Sequence, residues 1–212
     1  MEKELTMTSR PLVIAHRGFS ARYPENTLAA IEAAITLGVD MVELDVHETA
    51  DGELVVFHDY RLNRIYGVRK RVRDALRREL PDAPTLGEVL RLNFPLLVEI
   101  KGANPEKVSA LVHGRKDVIV FSVHPGKVER VTGVTRFGLA AHFPKSKIRH
   151  LQGVSGWGLS RRIVTRDIVS ALHRRGQKVF VWTVNRQAEM RRLTGWGVDG
   201  LITNHPDRAL AL

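Results

Sequence analysis

Apolar residues in this chain fall into short continuous runs, separated by stretches in which they recur every three or four positions. Leu12-Val13-Ile14-Ala15 is such a run, suited to a buried strand, and it stops at His16-Arg17-Gly18. Over residues 27–37, Leu28, Ile31 and Ile35 recur at helical spacing, with Asn26 or Thr27 to cap the start and Gly38 the end. Strands are predicted over residues 41–46 and 54–57, joined through an Asp51-Gly52 turn. Residues 60–80 have little apolar patterning and predict a surface excursion. Order resumes at Thr85-Leu86-Gly87-Glu88, a capping box opening a helix to about residue 92, followed by a strand over 96–100. Asn104-Pro105 opens a helix to residue 113, with Gly114 after it.

Beyond it, strands are predicted over 118–121, 136–141, 154–159, 178–184 and 198–203, the third glycine-rich around Trp157. Helices are predicted over 125–131, 145–151, 165–175, 185–194 with a cap at Asn185, and from Pro206 onward. Residues 1–10 predict a frayed terminus in which Met7 offers an alternative start.

A helix, a glycine and an apolar strand recur at Gly38, Gly114, Gly176 and Gly197, and Gly38-Val39-Asp40 is nearly repeated as Gly197-Val198-Asp199. Such alternation implies βαβ units and a mostly parallel sheet, and about eight strands permit closure into a (β/α)8 barrel. The expectation is one α/β domain over residues 1–212, with a short basic excursion after His58-Asp59. An open doubly wound sheet is the competing architecture. No Gly-x-Gly-x-x-Gly follows a strand and no phosphate-loop Gly-Lys-Ser/Thr occurs, which weakens its nucleotide-binding version.

Composition narrows the partners. The chain has 212 residues, 43% of them hydrophobic, enough for a substantial core. It has no cysteine, so disulfides and thiolate metal sites are excluded and any metal must sit on oxygen or imidazole. No apolar window approaches the length of a membrane span and the start is charged, so a soluble, unsecreted, cytoplasmic protein is expected. The formal charge is +10, which favours phosphorylated small molecules, nucleic acid or an anionic membrane surface. Much of that charge lies in residues 61–78, where Tyr66 and the adjoining Tyr60 are the aromatics available for base stacking, so a specific nucleic-acid site is not expected. Weak, salt-sensitive adsorption to anionic membranes is.

The candidate chemistry lies at predicted strand ends. Residues two apart share a strand face, so Glu43 and Asp45 point the same way, as do Glu99 and Lys101. In a barrel such ends converge on one rim, where Glu43, Asp45 and Glu99 would repel one another unless a cation lay between them. Oxygen-only ligation selects a hard divalent ion such as Mg²⁺, Ca²⁺ or Mn²⁺. The alternative is that Glu43 and Glu99 form ordinary ion pairs with Lys101 or nearby arginines. His16 and His58 follow apolar strands and can serve as a proton acceptor and donor near neutral pH. His47, His113, His150 and His173 read as surface residues. Arg17 and Lys101 suit phosphate oxygens, or else pair with Asp59 or Glu99. Trp182 reads as a pocket wall or as core. Together these point to metal-assisted phosphoryl chemistry.

These residues resemble the glycerophosphodiester phosphodiesterase family. The resemblance rests on His16-Arg17-Gly18, Pro24-Glu25-Asn26-Thr27, Glu43-Leu44-Asp45-Val46, Thr49 with Asp51-Gly52, His58-Asp59 and Pro84-Thr85-Leu86. It continues through Glu99-Ile100-Lys101, Phe121-Ser122, Trp182-Thr183-Val184-Asn185, Gly197-Val198-Asp199-Gly200 and Pro206. It implies a TIM barrel that hydrolyses glycerophosphodiesters to an alcohol and glycerol 3-phosphate. It further implies His16 and His58 as the acid-base pair, a divalent cation on Glu43, Asp45 and Glu99, and Arg17 and Lys101 on phosphate. The alternatives are the same chemistry on lysophospholipids, or a non-catalytic anion- or nucleic-acid-binding protein. Two departures stand out. The segment after His58-Asp59 is short and basic where the family carries a small inserted subdomain, and Thr203-Asn204 stands where an aspartate is usual, so no role is assigned to Asn204.

Overall fold

The computed structural model describes residues 10–141 and 153–212. The helix expected over 145–151, His150 and most of the frayed terminus lie outside the described residues. Eight parallel strands form the wall of a barrel: β1 (Leu12–His16), β2 (Met41–Glu48), β4 (Leu96–Gly102), β5 (Val118–Ser122), β6 (Thr135–Ala140), β7 (Gly156–Ser160), β8 (Lys178–Trp182) and β9 (Gly200–Thr203). β1 pairs with both β9 and β2, so the sheet closes and the open-sheet alternative falls away. The remaining strand, β3 (Leu54–Val56), lies antiparallel on β2 through the expected turn.

Helices α1 (Leu28–Leu37), α4 (Pro105–Val112), α6 (Arg166–His173), α7 (Gln187–Gly195) and α8 (Pro206–Leu210) follow strands, with shorter turns at α2 (Asn63–Tyr66), α3 (Leu86–Leu90) and α5 (Pro125–Glu129). Capping follows the sequence at α1, where Thr27 accepts from the Ala30 amide, and at α3, where Thr85 and Glu88 close a capping box. The near-repeat also has a structural reason. Asp40 accepts the Val13 amide at 2.7 Å and Asp199 the Val179 amide at 2.8 Å, each fastening the loop after a helix to an adjacent strand.

Alternation along the strands sorts side chains to two cores. Val13 and Ala15 of β1, Val42, Leu44 and Val46 of β2, and Leu96, Val98 and Ile100 of β4 pack outward among the helices. Ile14, Met41, Leu97, Ile119, Phe121, Phe137, Leu139, Phe180 and Ile202 fill the interior. The glycines of β7 belong to that filling: a Cβ on Gly156 would stand 2.6 Å from the Phe137 ring, and one on Gly158 2.9 Å from Leu139. The inward face of β1, β2 and β4 turns polar two residues past the packed Ile14, Met41 and Leu97, at His16, Glu43 and Glu99. The apolar plug therefore forms the floor of a polar rim.

The excursion differs from its reading. It lies outside the barrel, but Leu62, Val72, Ala75 and Leu80 are buried with Val55, Phe57 and Ala83 in a small core of their own. Its apolar residues are unevenly spaced because they pack against Val55 of β3 and against Phe57 just beyond that strand, so no helical or strand period marks them. Asn185 is a second difference. It does not cap α7; its Oδ1 accepts from Thr203 Oγ1 and from the Asn204 amide, tying the end of β8 to that of β9. Among the described residues no helix is long and apolar enough to cross a membrane.

Candidate active site

Register brings the acids together. Asp45 stands opposite Glu99 across β2 and β4, and His16 opposite Glu43 across β1 and β2. The carboxylates of Glu43, Asp45 and Glu99 are buried, and each offers an oxygen within 4.8 Å of the others. Burial, and after it the charge of Asp45, pushes Glu43 well above the usual carboxylate range and Glu99 up to about 7. Burial also acts to raise Asp45, but Arg17 and Lys101 outweigh it and hold that carboxyl low. All the donors are oxygen, and the mutual repulsion is only part-compensated. The cluster therefore suits a hard divalent cation.

Lys101 stands 3.0 Å from Glu99 and 3.5 Å from Asp45. The Arg17 guanidinium reaches Glu25 at 2.9 Å and Asp45 at 3.3 Å, in place of the Asp59 or Glu99 partners considered from sequence. Arg17 and Gly18 both have positive φ, so the chain turns sharply off β1 and the Arg17 amide reaches the Glu43 carbonyl at 2.8 Å.

Each histidine has one ring nitrogen committed. His58 Nδ1 lies 2.7 Å from Asp59, whose other oxygen takes a 2.7 Å hydrogen bond from Arg64 of α2. A carboxylate can only accept, so Nδ1 carries the proton and Nε2 is left for the site. His16 Nδ1 lies 2.6 Å from Asn204 Oδ1, and its Nε2 is 3.9 Å from Glu43. Burial, then the neighbouring Arg17, lowers His16 to about 4, so it is neutral at pH 7. His16, Arg17, Glu43, His58, Glu99, Lys101 and Trp182 line one cavity of about 100 Å³, floored by Phe121, Leu139 and Ile202. Trp182 packs against the interior cluster and lines this cavity.

His47 corrects the sequence reading. It is 2% exposed, not on the surface, because it continues the inward face of β2 two residues beyond Asp45. Its Nε2 lies 3.1 Å from the His58 carbonyl, and its ring meets Tyr60 edge-on at 4.9 Å. Sequence reasoning also left Asn204, Glu25 and Arg64 without roles and considered Asp59 only as an ion-pair partner. The first partners a residue 188 positions away, which no local pattern shows. Arg64 was lost among the other cations of the basic segment, although it bonds both Asp59 and Glu25.

A closed parallel barrel that gathers acids, bases and cations where its strands end defines an enzyme of the (β/α)8 class. The chain belongs to the glycerophosphoryl diester phosphodiesterase family, whose model matches residues 16–127 and 138–208. It is 32% identical to a Bacillus altitudinis protein named glycerophosphodiester phosphodiesterase, over 94% of this chain and 97% of that one. Among solved structures, a glycerophosphodiester phosphodiesterase from Thermotoga maritima is 27% identical with a TM-score of 0.81, covering 95% of this chain and 96% of that one. An Oleispira antarctica phosphodiesterase in complex with the product sn-glycerol-3-phosphate is 25% identical with a TM-score of 0.84, again over 95% and 96% of the two chains.

Proposed function

We propose that this chain hydrolyses glycerophosphodiesters to an alcohol and glycerol 3-phosphate, with His16 and His58 as the proton-transfer pair and a divalent cation on Glu43, Asp45 and Glu99. The observation that carries this reading is the single small cavity lined by both histidines, two of the acids, Arg17 and Lys101. The product held by the Oleispira antarctica relative supports the choice of substrate. When bound, the cation would supply charge neutralisation at the phosphodiester oxygens.

The chain's own residues supply the rest. Arg17 presents a fixed guanidinium beside Asp45, where it can neutralise a phosphate oxygen as negative charge builds. His16, uncharged and with Nε2 free, accepts the proton of the attacking hydroxyl, which belongs to water or to a neighbouring hydroxyl of the substrate. His58, oriented by Asp59 at Nδ1, delivers a proton from Nε2 to the departing alkoxide. Phe121, Leu139 and Trp182 keep one side of the cavity dry.

The test is release of glycerol 3-phosphate from a simple glycerophosphodiester by purified protein with EDTA, then with Mg²⁺, Ca²⁺ or Mn²⁺ restored. Chelator-sensitive release is expected, and no release with any of the three rejects the reading. One observation favours lysophospholipids as a second substrate class: beyond His58 lies a cavity of about 730 Å³ whose walls include Tyr23, Phe57, Ile65 and Tyr66, room for an acyl chain. Choline release from lysophosphatidylcholine distinguishes the two.

A further inference from the structure

On the other side of Lys101 lies a separate cavity of about 470 Å³. Its floor is Lys101 and Gly102 at the end of β4, one wall is the basic excursion, and another is Lys127 of α5. Arg61, Arg71, Arg73, Lys101 and Lys127 all line it, and among the described residues none that lines it is acidic.

Arg64 and Lys70 of the excursion are neutralised. Arg64 bonds Asp59 and Glu25, and Lys70 holds Glu79 at 2.7 Å. The cavity's arginines are not. Among the described residues Arg61 and Arg71 have no side-chain partner, and Arg73 has only Asp74, exposed and 3.7 Å away. Arg61 and Arg71 are nevertheless set opposite each other by an antiparallel backbone bridge. Leu62 and Val72, the next residue along each, are anchored in the excursion's core. Like charges held directly opposite cost stability unless an anion lies between them. The wall is braced toward the active site too: Tyr60 OH donates to the Lys101 carbonyl at 3.4 Å, and Lys127 donates to the same oxygen.

Among the described residues Lys101 is the one this cavity shares with the catalytic cavity, so an anion here sits one side chain away from the phosphodiester. The catalytic cavity, at about 100 Å³, leaves the far half of a diester to extend outside it. We infer that the alcohol half of the substrate carries a second phosphate, and that Arg61, Arg71 and Arg73 bind it. This inference rests on the phosphodiesterase reading above and adds the substrate class: glycerophosphodiesters of a phosphorylated alcohol. Guanidinium forks match phosphate oxygens two at a time, which gives such a pocket selectivity over a neutral polyol.

The test compares glycerophosphoinositol with glycerophosphoinositol 4-phosphate, which differ by one phosphate, on the metal-supplemented wild type and on the double variant Arg61→Gln/Arg71→Gln. Both side chains are exposed, and the backbone bridge between them does not need the guanidinium. The wild type is expected to favour the phosphorylated substrate by about tenfold in kcat/KM at low salt, mostly through KM. The double variant should bring that ratio within about twofold of unity while leaving the neutral substrate unchanged. Raising salt to about 0.5 M should shrink the wild-type preference, since screening then acts over a few ångströms. Equal efficiencies in the wild type, or a preference that survives in the double variant, overturn the inference and leave the phosphodiesterase reading standing. Turnover of neither substrate overturns both. Acceleration of the neutral substrate by inorganic phosphate would mark a site for a free anion and also overturn it.

Discussion

His16 and His58 have the same side chain and opposite assignments, and their second partners make the difference. His58 faces a carboxylate, whereas His16 faces the uncharged amide of Asn204 beside Arg17 and stays neutral. Replacing His58 with Ala should lower kcat by about 10²–10⁴-fold, the range expected of positioned acid-base groups. Its ring is part-exposed at the rim, so stability should move by no more than about 0.5 kcal/mol, checked by thermal melting. Turnover like the wild type would reject the proton-transfer role. Asp59 adds a pH signature. Burial acts to raise its carboxyl, but hydrogen bonds from Arg64 and His58 outweigh it and bring it down to about 2 from 3.8. A depressed acid stabilises the fold above its unfolded value, and that contribution is lost as pH falls through the folded one. Asp59→Asn should therefore be less stable than wild type by about 1 kcal/mol above pH 5, with solvent screening allowed for, and the gap should close toward pH 2. Urea melts across that range check it; a gap that widens in acid rejects it.

At the scale of elements, α2 looks peripheral and yet its Arg64 joins the loop after β1, through Glu25, to the loop after β3, through Asp59. Arg64→Met should lower kcat by about 10–10²-fold with little change in KM, because it loosens His58 without touching substrate. Arg64→Lys should recover only part of this, since an ammonium cannot span both carboxylates as the fork does. An unchanged kcat and pH profile in Arg64→Met would show that Asp59 orients His58 unaided. Gly102 makes a second case. A Cβ there would lie 2.3 Å from His47 Nδ1, so Gly102→Ala should cost about 1–3 kcal/mol and displace the ring that supports the His58 carbonyl.

The same elements show how much of the site was legible in the sequence. β1, β2 and β4 were readable because alternation runs unbroken from apolar Ile14, Met41 and Leu97 into His16, Glu43-x-Asp45 and Glu99. Extending that alternation two more residues along β2 also reaches His47, so its burial was within reach. β7 was harder, since its inward positions are glycines and the volume there comes from Phe137 and Leu139 on β6. The excursion's core and the bond from Asn204 to His16 are contacts through space between residues far apart in the chain, and neither leaves a period to read.

For the molecule as a whole, closing the barrel forces three carboxylates into one buried place, and that couples stability to cations. Arg17 and Lys101 offset part of the charge, yet Glu43 and Glu99 still rise, so the fold favours their protonated forms. A group whose folded value lies above its unfolded one stabilises at low pH. For Glu99, between 4.5 and about 7, that contribution fades as pH climbs through the interval. A divalent ion held as proposed would bind the ionised carboxylates of the folded chain alone and should restore what is lost. At a concentration about a hundredfold above its dissociation constant the gain is about 2.7 kcal/mol, roughly 5–10 °C in melting temperature for a chain of this length. The increment should be small at pH 5.5, where the ion must first displace a proton from Glu99, and reach its full size near pH 8. In Glu43→Gln the chain melted in EDTA should be no less stable than wild type, since a neutral amide replaces a carboxyl that burial already pushes toward its protonated form, while the cation increment should largely disappear. Scanning calorimetry of both proteins, with EDTA and with each of Mg²⁺, Ca²⁺ and Mn²⁺, reads all of this. An increment that is flat with pH, or kept in Glu43→Gln, would place the cation elsewhere and leave the three acids to Arg17 and Lys101.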